Sequence, residues 1–490
     1  MADSTDIWSV ESNDAVHISL VTPNKTLHTF HPKFTYSIFG EEESIFGYQG
    51  LKINVKYHAS DMRPLLQITY NKKFPAVGTT EPTDLKPILE AYLPKTAFEK
   101  QSIFEAAISD TSNSNWTPPG ELWKTIQSGS KTFEVWKGSL ADLAVQQMLK
   151  RIQILVSFFI EAGTPLDLRE TEEALKRWTV FFLYQKTTEA TAGTSSPYTF
   201  MGYSTVYRYF MYQPPTPPVS PATTKKEPVQ SASRDDFKFP APEDNAPELQ
   251  FSSHPCRSRI SQFVILPPFQ KGGNGSRFYN AIFDNFLADP KTIEITVEDP
   301  NEAFDDLRDL NDLARLRLNP TFAALRINTK VSLKAKGPVP RDIIDTEALE
   351  KIRTKFKIAP RQFARVVEMQ LLSLIPLGVR QSLIEHSRKS IPNLSAKEHE
   401  YHLWILMVKK RLYKHNKDML IQLDRTDRIQ KLEEVTGGVE ADYARLLRDF
   451  DKRIKGPAVA APLVISNGKR NPPDEVEEVG EPSAKKVKFS

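Results

Sequence analysis

The stretch of sequence that decides the fold is Ser261-Gln262-Phe263-Val264-Ile265-Leu266-Pro267-Pro268-Phe269-Gln270-Lys271-Gly272-Gly273-Asn274-Gly275-Ser276. Its start predicts a strand over residues 261–266, and residues 270–276 predict a glycine-rich turn, called the glycine turn below. The next segment predicts an amphipathic helix whose apolar side carries Phe278, Ile282, Phe283 and Phe286. Glycines let a ligand approach the backbone, and N–H groups at a helix start point outward, so this order can cradle a pyrophosphate.

The glycine turn also has a simpler interpretation. A connector between a strand and a helix needs glycine wherever φ is positive. The turn is not a Walker loop, because no Gly-Lys-Ser/Thr closes it, and it lacks the Gly-x-Gly-x-x-Gly spacing of a dinucleotide fold. The pattern alone therefore leaves phosphate binding and simple connection both open.

Length and composition indicate an intracellular protein of several domains. The chain has 490 residues, more than one ordinary core holds, and its 36 prolines are spread unevenly, which marks linkers. No apolar run reaches the roughly eighteen residues of a membrane span, and the start at Met1 lacks signal-peptide features. Cys256 is the only cysteine, which excludes an internal disulfide and a thiolate-rich metal site. We expect no membrane contact and no bound metal.

Hydrophobic periodicity divides the chain into four parts. Alternation over residues 51–57 predicts a strand in an N-terminal mixed α/β domain, residues 1–135. A central domain, 136–320, is expected to hold one helix with Met148, Ile152, Leu155 and Phe159 on one face. Its predicted strands cover residues 179–184, 202–210, 261–266 and 293–298. The fold class expected is α+β.

The remaining parts differ in composition. Residues 321–455 show helical spacing and predict a basic helical domain, with Phe363, Val366, Val367, Leu371 and Leu374 on the apolar side and Gln370 as a polar exception. Pro, Ser, Lys and Glu dominate residues 213–250, which predicts a disordered insertion between strands. The Pro- and Glu-rich tail, 456–490, is also predicted to be disordered.

Charge is distributed unevenly along the chain. The run from Glu294 to Asp312 has eight acids and one base, whereas residues 321–455 have 28 Lys and Arg against 17 Asp and Glu. This asymmetry suggests a basic substrate near the first region and an acidic partner near the second.

One carboxylate lies where a base could act. Ile293, Ile295 and Val297 alternate with polar residues, which predicts that Glu298 ends a strand on its polar face. A lysine ammonium has a reference pKa of about 10.4, so it needs a base before it can attack a thioester. The alternative is that Glu298-Asp299-Pro300 is a solvated strand exit.

Three separated motifs resemble one family. The pattern Gln-x-x-Gly-x-Gly at Gln270 to Gly275 resembles the acetyl-CoA motif of the GNAT superfamily. The segments 261–270, 295–304 and 39–53 are similar to the catalytic subunits of type B histone acetyltransferases. The resemblance runs with gaps over residues 5–320 and weakens in the basic helical region. One departure is Gly273-Asn274-Gly275, where the family commonly has Gly-His-Gly, and we expect this central side chain to point outward.

The resemblance implies a GNAT fold with a splayed mixed sheet, and acetyl-CoA as the co-substrate. The backbone of Phe263, Val264 and Ile265 would pair with the pantetheine arm. The pyrophosphate would lie on Gln270, Lys271, Gly272, Gly273, Asn274, Gly275 and Ser276, and Asn301 would make a further contact. Glu298 matches the general base, Asp299 a supporting acid, and Glu161 a second candidate. Glu161 follows an apolar helix, where burial would favour its protonated form.

The resemblance also implies the substrate. Glu41, Glu42 and Glu43 match an acidic loop that receives basic residues of the histone H4 tail, and Tyr207, Arg208 and Tyr209 match a second contact with it. Histone H3 would be present as the dimer partner of H4. On sequence grounds alone, three acids form a solvated loop and strand tyrosines pack in a core.

Two further expectations concern partners and location. Phe210 to Pro218 aligns with the segment on which the family's WD-repeat propeller subunit docks, and the insertion begins inside it. Lys485-Lys486-Val487-Lys488 after Lys469-Arg470 resembles a bipartite nuclear localisation signal, which predicts a cytoplasmic and nuclear protein. Direct nucleic-acid binding is not expected, because the basic region lacks a recognisable nucleic-acid motif.

Two other functions are compatible with these residues. A catalytically inactive GNAT scaffold could bind histones or chromatin, although retention of the glycine turn together with Glu298 argues against it. A GNAT enzyme could instead acetylate another amine, and only the tail-binding motifs distinguish this from a histone acetyltransferase.

Overall fold

The computed structural model describes residues 6–187, 196–211, 254–332, 339–380 and 395–455. The strands are β1 Ser9–Glu11, β2 Val16–Thr22, β3 Lys25–Phe30, β4 Ser44–Phe46, β5 Tyr48–Gln49, β6 Lys52–His58, β7 Pro64–Thr69, β8 Lys72–Lys73, β9 Glu121–Ser128, β10 Lys131–Ser139, β11 Trp178–Lys186, β12 Tyr198–Phe210, β13 Cys256–Ile265 and β14 Thr292–Val297.

The α-helices in these ranges are α1 Ser12–Ala15, α2 Tyr36–Phe39, α3 Leu85–Glu90, α4 Gln101–Ile108, α5 Leu143–Ile152, α6 Ile154–Phe159, α7 Glu172–Leu175, α8 Asn274–Ala288, α9 Glu302–Arg317, α10 Pro320–Ala323, α11 Thr346–Phe356, α12 Pro360–Leu372, α13 Ala396–His415, α14 Lys417–Leu420 and α15 Arg425–Lys455. The predicted α+β class is confirmed, as are the strands in the central region and the helical C-terminal part.

A six-stranded mixed sheet forms the centre of the molecule. Its order is β14-β13-β12-β11-β10-β9; β13 and β14 are parallel and the other neighbours antiparallel. Both faces are buried, since in β11 Val180 and Phe182 pack into one core and Phe181 and Leu183 into the other. The boundary predicted after residue 135 falls inside β10, so the β9–β10 hairpin belongs to this sheet.

The N-terminal elements cover one face of the sheet. The four-stranded sheet β3-β2-β6-β7 and helices α5 and α6 share one core with β11, β12 and β13. The predicted strand over 51–57 is confirmed as β6. The single helix expected through Met148 and Phe159 is wrong: the chain forms α5 and α6, separated at Gln153. α5 has one apolar stripe, whereas α6 buries five consecutive residues, so the chain turns deeper into the core between them.

The opposite face is covered by α8, α9 and the C-terminal helices, which share the second core. The predicted apolar side of α8 is confirmed, because Phe278, Ile282, Phe283 and Phe286 are all buried. In α12 the polar exception Gln370 is buried and accepts a hydrogen bond from Arg317 Nε at 2.7 Å.

The acidic run and the basic helices neutralise each other in part. Asp309 is fully buried and pairs with Arg365 at 2.5 Å. Asp306 pairs with Arg445 at 2.7 Å. The expectation of one acidic surface facing a substrate is therefore wrong for these acids, because they hold α9 against α12 and α15.

Several predictions fall outside the described residues. These are the insertion at 213–250, residues 212–218 of the predicted docking segment, the tail 456–490 and the localisation signal within it. Among the helices that are described, none combines the length and apolar character of a membrane span.

Candidate active site

Strands β13 and β14, at one edge of the sheet, separate partway along their length. The parallel register ends at Ile260–Val297, followed by a hydrogen bond from Glu298 N to Ile260 O at 2.8 Å. On the other side of β13, Thr205 opposes Gln262 and Val206 opposes Ile260, so Ser261 is an extra residue and forms a β-bulge. Beyond the bulge, β14 no longer pairs with β13 and leaves it an open edge.

Two residues present backbone groups to this open edge. Gln262 N and O contact side chains of β12, and Leu266 N donates to Met201 O of β12 at 2.9 Å. Since backbone groups alternate along a strand, Val264 faces β12, while Phe263 and Ile265 face the open edge. Ile265 O accepts a hydrogen bond from Gln270 Nε2 at 2.8 Å. The Phe263 N–H and C=O and the Ile265 N–H can therefore pair with an extended ligand.

The open edge of β13 lies beside α8 and α9, and the space between these three elements is called the groove below. The Phe263 ring lies between Phe278 of α8 and Phe304 of α9, with centroid distances of 5.2 and 5.1 Å. α9 packs beside the start of α8, where Asn311 Nδ2 donates to Ser276 Oγ at 3.1 Å. β13, α8 and α9 thus enclose the space in which the strands diverge.

The glycine turn leads into α8 at the end of this groove. Lys271 and Gly273 have φ values of +65° and +76°. Glycine adopts a positive φ without strain, whereas the backbone of Lys271 is strained there. Gly273 caps α8 without a side-chain acceptor, which leaves the first N–H groups of the helix available to an anion.

The expectation that the Asn274 side chain points outward is wrong. Its side chain is buried rather than directed outward, and Nδ2 donates to Phe269 O at 2.8 Å. Because the first helical residue reaches back across the turn, it fixes the turn's shape from within.

Glu298 lies directly beside the bulge. Ser261 Oγ donates to its Oε2 at 2.5 Å, and Arg259 Nη2 lies 3.3 Å from its Oε1. The carboxylate is partly exposed, so it can reach both solvent and a ligand in the groove. Asp299 follows with φ of +31° and an exposed side chain.

The prediction that Ile293, Ile295 and Val297 form one apolar face of β14 is wrong at Ile293. Ile293 is 44% exposed, although Ile295 is buried. Cys256 opposes Thr292 and Arg257 opposes Glu294, so Ile293 is itself an extra residue that breaks the alternation.

Glu161 is exposed, and the expectation of its burial is wrong because α6 ends at Phe159, before this residue. The segment nevertheless approaches the bulge, since Gln262 Nε2 donates to Thr164 O at 2.9 Å. The segment that contains Glu161 therefore lies beside Gln262, the residue that follows the bulge.

Asn301 is the N-terminal cap of α9, and its Oδ1 accepts a hydrogen bond from Phe304 N at 2.9 Å. The cap thus joins Asn301 to Phe304, the residue of α9 that contacts Phe263. The Asn301 amide can still donate to a ligand, because the cap uses only the oxygen.

The three acids of the acidic loop have different environments. Glu41 and Glu42 are exposed, but the Glu43 carboxylate accepts hydrogen bonds from Thr35 N at 2.5 Å, Tyr36 N at 3.0 Å and Asn13 Nδ2 at 2.8 Å. Burial raises the pKa of Glu43, but these hydrogen bonds outweigh it and hold the pKa below its ordinary value. Glu43 therefore caps α2, which leaves Glu41 and Glu42 for a cationic ligand.

Replacing Glu43 by Gln is expected to destabilise the fold by about 1 kcal/mol at neutral pH, because charge-assisted hydrogen bonds are lost. Since the folded pKa is lowered, this contribution is full above the ordinary glutamate pKa and disappears as pH falls through the folded value. Urea unfolding at pH 7 and near pH 4 measures it. The Glu41→Gln/Glu42→Gln protein is the matched control and should unfold like wild type; equal midpoints for all three proteins at pH 7 would contradict the capping role.

The three residues of the predicted tail contact, Tyr207, Arg208 and Tyr209, do not all lie on the same face of the sheet. The rings of Tyr207 and Tyr209 meet edge to face with their centroids 4.7 Å apart, and the Tyr207 ring centroid lies 4.8 Å from that of Trp178. Arg208 points to the other face and lies 3.6 Å from Asp289. The aromatic pair is therefore accessible on the Glu298 side, whereas Arg208 contributes to packing around α8.

Arg259 joins the aromatic pair to the carboxylate and was not identified from the sequence. Its Nη1 donates to Tyr209 Oη at 3.2 Å while Nη2 contacts Glu298. The signal that could have indicated it is that Arg257 and Arg259 alternate along β13 as Glu294, Thr296 and Glu298 alternate along the segment that follows it in the sheet; Arg257 is opposite Glu294 and Arg259 is opposite Thr296. In the whole part of the chain that the structure describes, no group of three or more His, Cys, Asp or Glu residues could hold a metal ion.

The geometry combines a mixed α+β fold, an open strand edge, a glycine turn at the start of a helix, and a carboxylate where the strands separate. Residues 8–161 match the family described as histone acetyl transferase HAT1 N-terminus, and residues 309–374 match fungal HAT1, C-terminal.

Curated relatives extend this match over nearly the whole chain. The histone acetyltransferase type B catalytic subunit of Pyricularia oryzae is 46% identical, covering 99% of both chains. Those of Neurospora crassa and Gibberella zeae are each 44% identical, covering 96% and 93% of both chains respectively. The chain belongs to the family of type B histone acetyltransferase catalytic subunits.

Proposed function

We propose that this histone acetyltransferase has a GNAT fold and transfers acetyl from acetyl-CoA to lysines of the histone H4 tail, with Glu298 as general base. The observation that carries the proposal is the Ser261 bulge, which positions the Glu298 carboxylate beside the open edge of β13. Family membership favours the enzyme over the inactive scaffold.

The hydrogen-bonding groups of the open edge and of the glycine turn match those of acetyl-CoA. The pantetheine amides would pair with the open edge at Phe263 and Ile265, as an added strand does. The pyrophosphate would lie at the start of α8, where free N–H groups and the helix dipole favour an anion. This alignment brings the thioester to the bulge, next to Glu298, and Asn301 would face the same ligand from α9.

The reaction is a direct transfer. Glu298 accepts a proton from the lysine ammonium, and the neutral amine attacks the thioester carbonyl. A C–N bond forms, the C–S bond breaks, and the thiolate takes up a proton as it leaves. Ser261 holds the carboxylate in place, and Asp299 and Glu161 are further acids near the proton's path to solvent.

The H4 tail would cross the Glu298 face of the sheet. Tyr207 and Tyr209 offer aromatic surfaces to a lysine side chain, and Glu41 and Glu42 offer free carboxylates to neighbouring basic residues. Phe210 and Met211 begin the segment on which a WD-repeat subunit would dock, and H3 would accompany H4. We also propose a cytoplasmic and nuclear location, which imaging of the tagged chain with and without residues 469–488 would test.

Transfer of labelled acetyl from acetyl-CoA to purified core histones tests the proposal, with the modified lysine located by mass spectrometry. We expect label on the H4 tail. Label on small amines such as spermidine, with none on histones, would instead indicate a GNAT enzyme for another amine.

Removing residues 219–248 is expected to leave this activity close to normal. Phe210 at the end of β12 pairs with Cys256 at the start of β13, and Met211 N donates to Pro255 O at 2.8 Å. Because the two ends of the segment lie side by side, a short Gly/Ser bridge can join them. The assay compares kcat/KM on free H4 for both proteins; a collapse of activity with an unchanged unfolding midpoint would show that the segment serves catalysis.

A further inference from the structure

Arg277 lies in the first turn of α8, is partly buried, and contacts the glycine turn. Its Nη1 donates to Gly272 O at 2.7 Å and to Asn274 Oδ1 at 2.9 Å. Its Nη2 donates to Ser128 Oγ at 2.7 Å, and the guanidinium lies 5.1 Å from the centre of the Phe133 ring. One side chain thus connects the turn, the helix and the β9–β10 hairpin.

These contacts determine which carbonyl groups of the turn are already hydrogen-bonded. A free carbonyl oxygen at the mouth of the turn would repel a phosphate, whereas the Gly272 carbonyl accepts a hydrogen bond from Arg277. The same side chain holds Asn274, whose amide in turn holds the Phe269 carbonyl. Two carbonyls are therefore held by side-chain donors, while the N–H groups at the start of α8 remain free for an anion.

Partial burial of the arginine has a cost of desolvation. Burial lowers the pKa of Arg277, and among the described residues its buried Nε has no hydrogen-bond partner. A buried donor without a partner is unfavourable, so a purely stabilising role would be served better by an apolar residue. The terminal nitrogens both contact named protein acceptors, which distinguishes Arg277 from a side chain that reaches out to a ligand.

We propose that Arg277 is a positioning residue that preorganises the glycine turn for donors carrying a diphosphate. The inference rests on the proposed function, and it concerns donor choice rather than the chemical step. An acyl thioester that carries the diphosphate binds more tightly when the turn is ordered. Acetyl-pantetheine lacks the diphosphate and does not reach the turn, so its binding does not depend on that order.

The test compares acetyl-CoA with acetyl-pantetheine as donors to the same H4 peptide. For Arg277→Gln we expect kcat/KM with acetyl-CoA to fall about tenfold, mainly through KM, because two hydrogen bonds that order the turn are lost. The loss with acetyl-pantetheine should be several-fold smaller. Arg277→Lys should fall between Gln and wild type, since one ammonium cannot reach all three acceptors.

Arg448→Gln, an exposed arginine on α15, is the matched control and should keep the wild-type donor ratio. Ser128→Ala removes only the hairpin contact and should give a smaller loss with the same donor dependence, which keeps the test open if Arg277→Gln does not fold. Equal losses with both donors, or no loss, would overturn the role of Arg277. If wild type itself used both donors equally well, the pyrophosphate placement in the proposed function would be the part that failed.

Discussion

Gly275→Asp is expected to abolish acetyl-CoA binding while the protein stays folded. Gly275 is the second residue of α8, at the proposed pyrophosphate position. A carboxylate in the first turn favours the helix through its dipole, but it repels a diphosphate at the same place. We expect affinity to fall by at least about a hundredfold, equivalent to roughly 2.7 kcal/mol. Isothermal titration with acetyl-CoA measures this, with circular dichroism as the folding check.

Gly275→Ala is the control for added bulk. A Cβ at this position lies 2.9 Å from Leu307 Cδ1, the end of a flexible side chain that can move aside, so alanine should largely retain binding. Gly273→Asp should also block acetyl-CoA, but it adds backbone strain because φ is +76° at Gly273. Unaltered affinity in a folded Gly275→Asp protein would exclude the glycine turn as the pyrophosphate site.

The elements around the groove were predictable because their signals are local. Alternation identifies β6, a continuous apolar run identifies β11, and the spacing from Phe278 to Phe286 identifies the buried side of α8. Glycines between a strand and a helix likewise mark a turn within a few residues. Such patterns specify an element without knowledge of its neighbours.

Bulges were not predictable, because a bulge is a property of two strands. Ser261 and Ile293 are each extra relative to a partner strand distant in sequence, and nothing in their own segments marks them. Their consequences are large: the first creates the open edge, and the second reverses the exposure expected for Ile293. Asn274 turned inward for a similar reason, since its acceptor Phe269 lies on the far side of the turn.

The charged side chains of the site were predictable as residue types but not as pairs. The carboxylate at Glu298 follows from its position after β14, yet its contact with Arg259 depends on the register between two strands. Glu43 is the third of three consecutive glutamates in the sequence, but in the folded chain its carboxylate caps α2. The Arg277–Ser128 and Asp306–Arg445 contacts each join residues more than a hundred positions apart. Periodicity carries no information on such pairs.

Glu298→Gln is expected to lower kcat about a hundredfold or more while acetyl-CoA binding persists. Glutamine has the same shape and can still accept the hydrogen bond from Ser261 Oγ, so the bulge should keep its geometry. What disappears is the negative charge that accepts the lysine proton. Saturation kinetics with an H4 peptide, at fixed excess acetyl-CoA, measure the loss.

Glu294→Gln provides a matched control on the same strand. Glu294 also pairs with arginines, Arg257 at 2.8 Å and Arg353 at 3.5 Å, but it lies at the opposite end of β14 from the bulge. Loss of its ion pairs should affect stability and leave kcat near wild type. A general electrostatic effect of removing one carboxylate from β14 would lower kcat in both variants alike.

The dependence of rate on pH separates the acids from one another. Wild-type kcat/KM should fall as pH drops, because a protonated carboxylate cannot accept the lysine proton, and Glu298→Gln should lose or shift that acidic limb. Glu161→Gln should retain the limb with a smaller loss of rate, since Glu161 is exposed on the segment next to Gln262 rather than held at the bulge. If Glu298→Gln turned over like wild type across this range while Glu161→Gln was inactive, the base would be Glu161, and the position of Glu298 beside the bulge would serve only to hold the strand end.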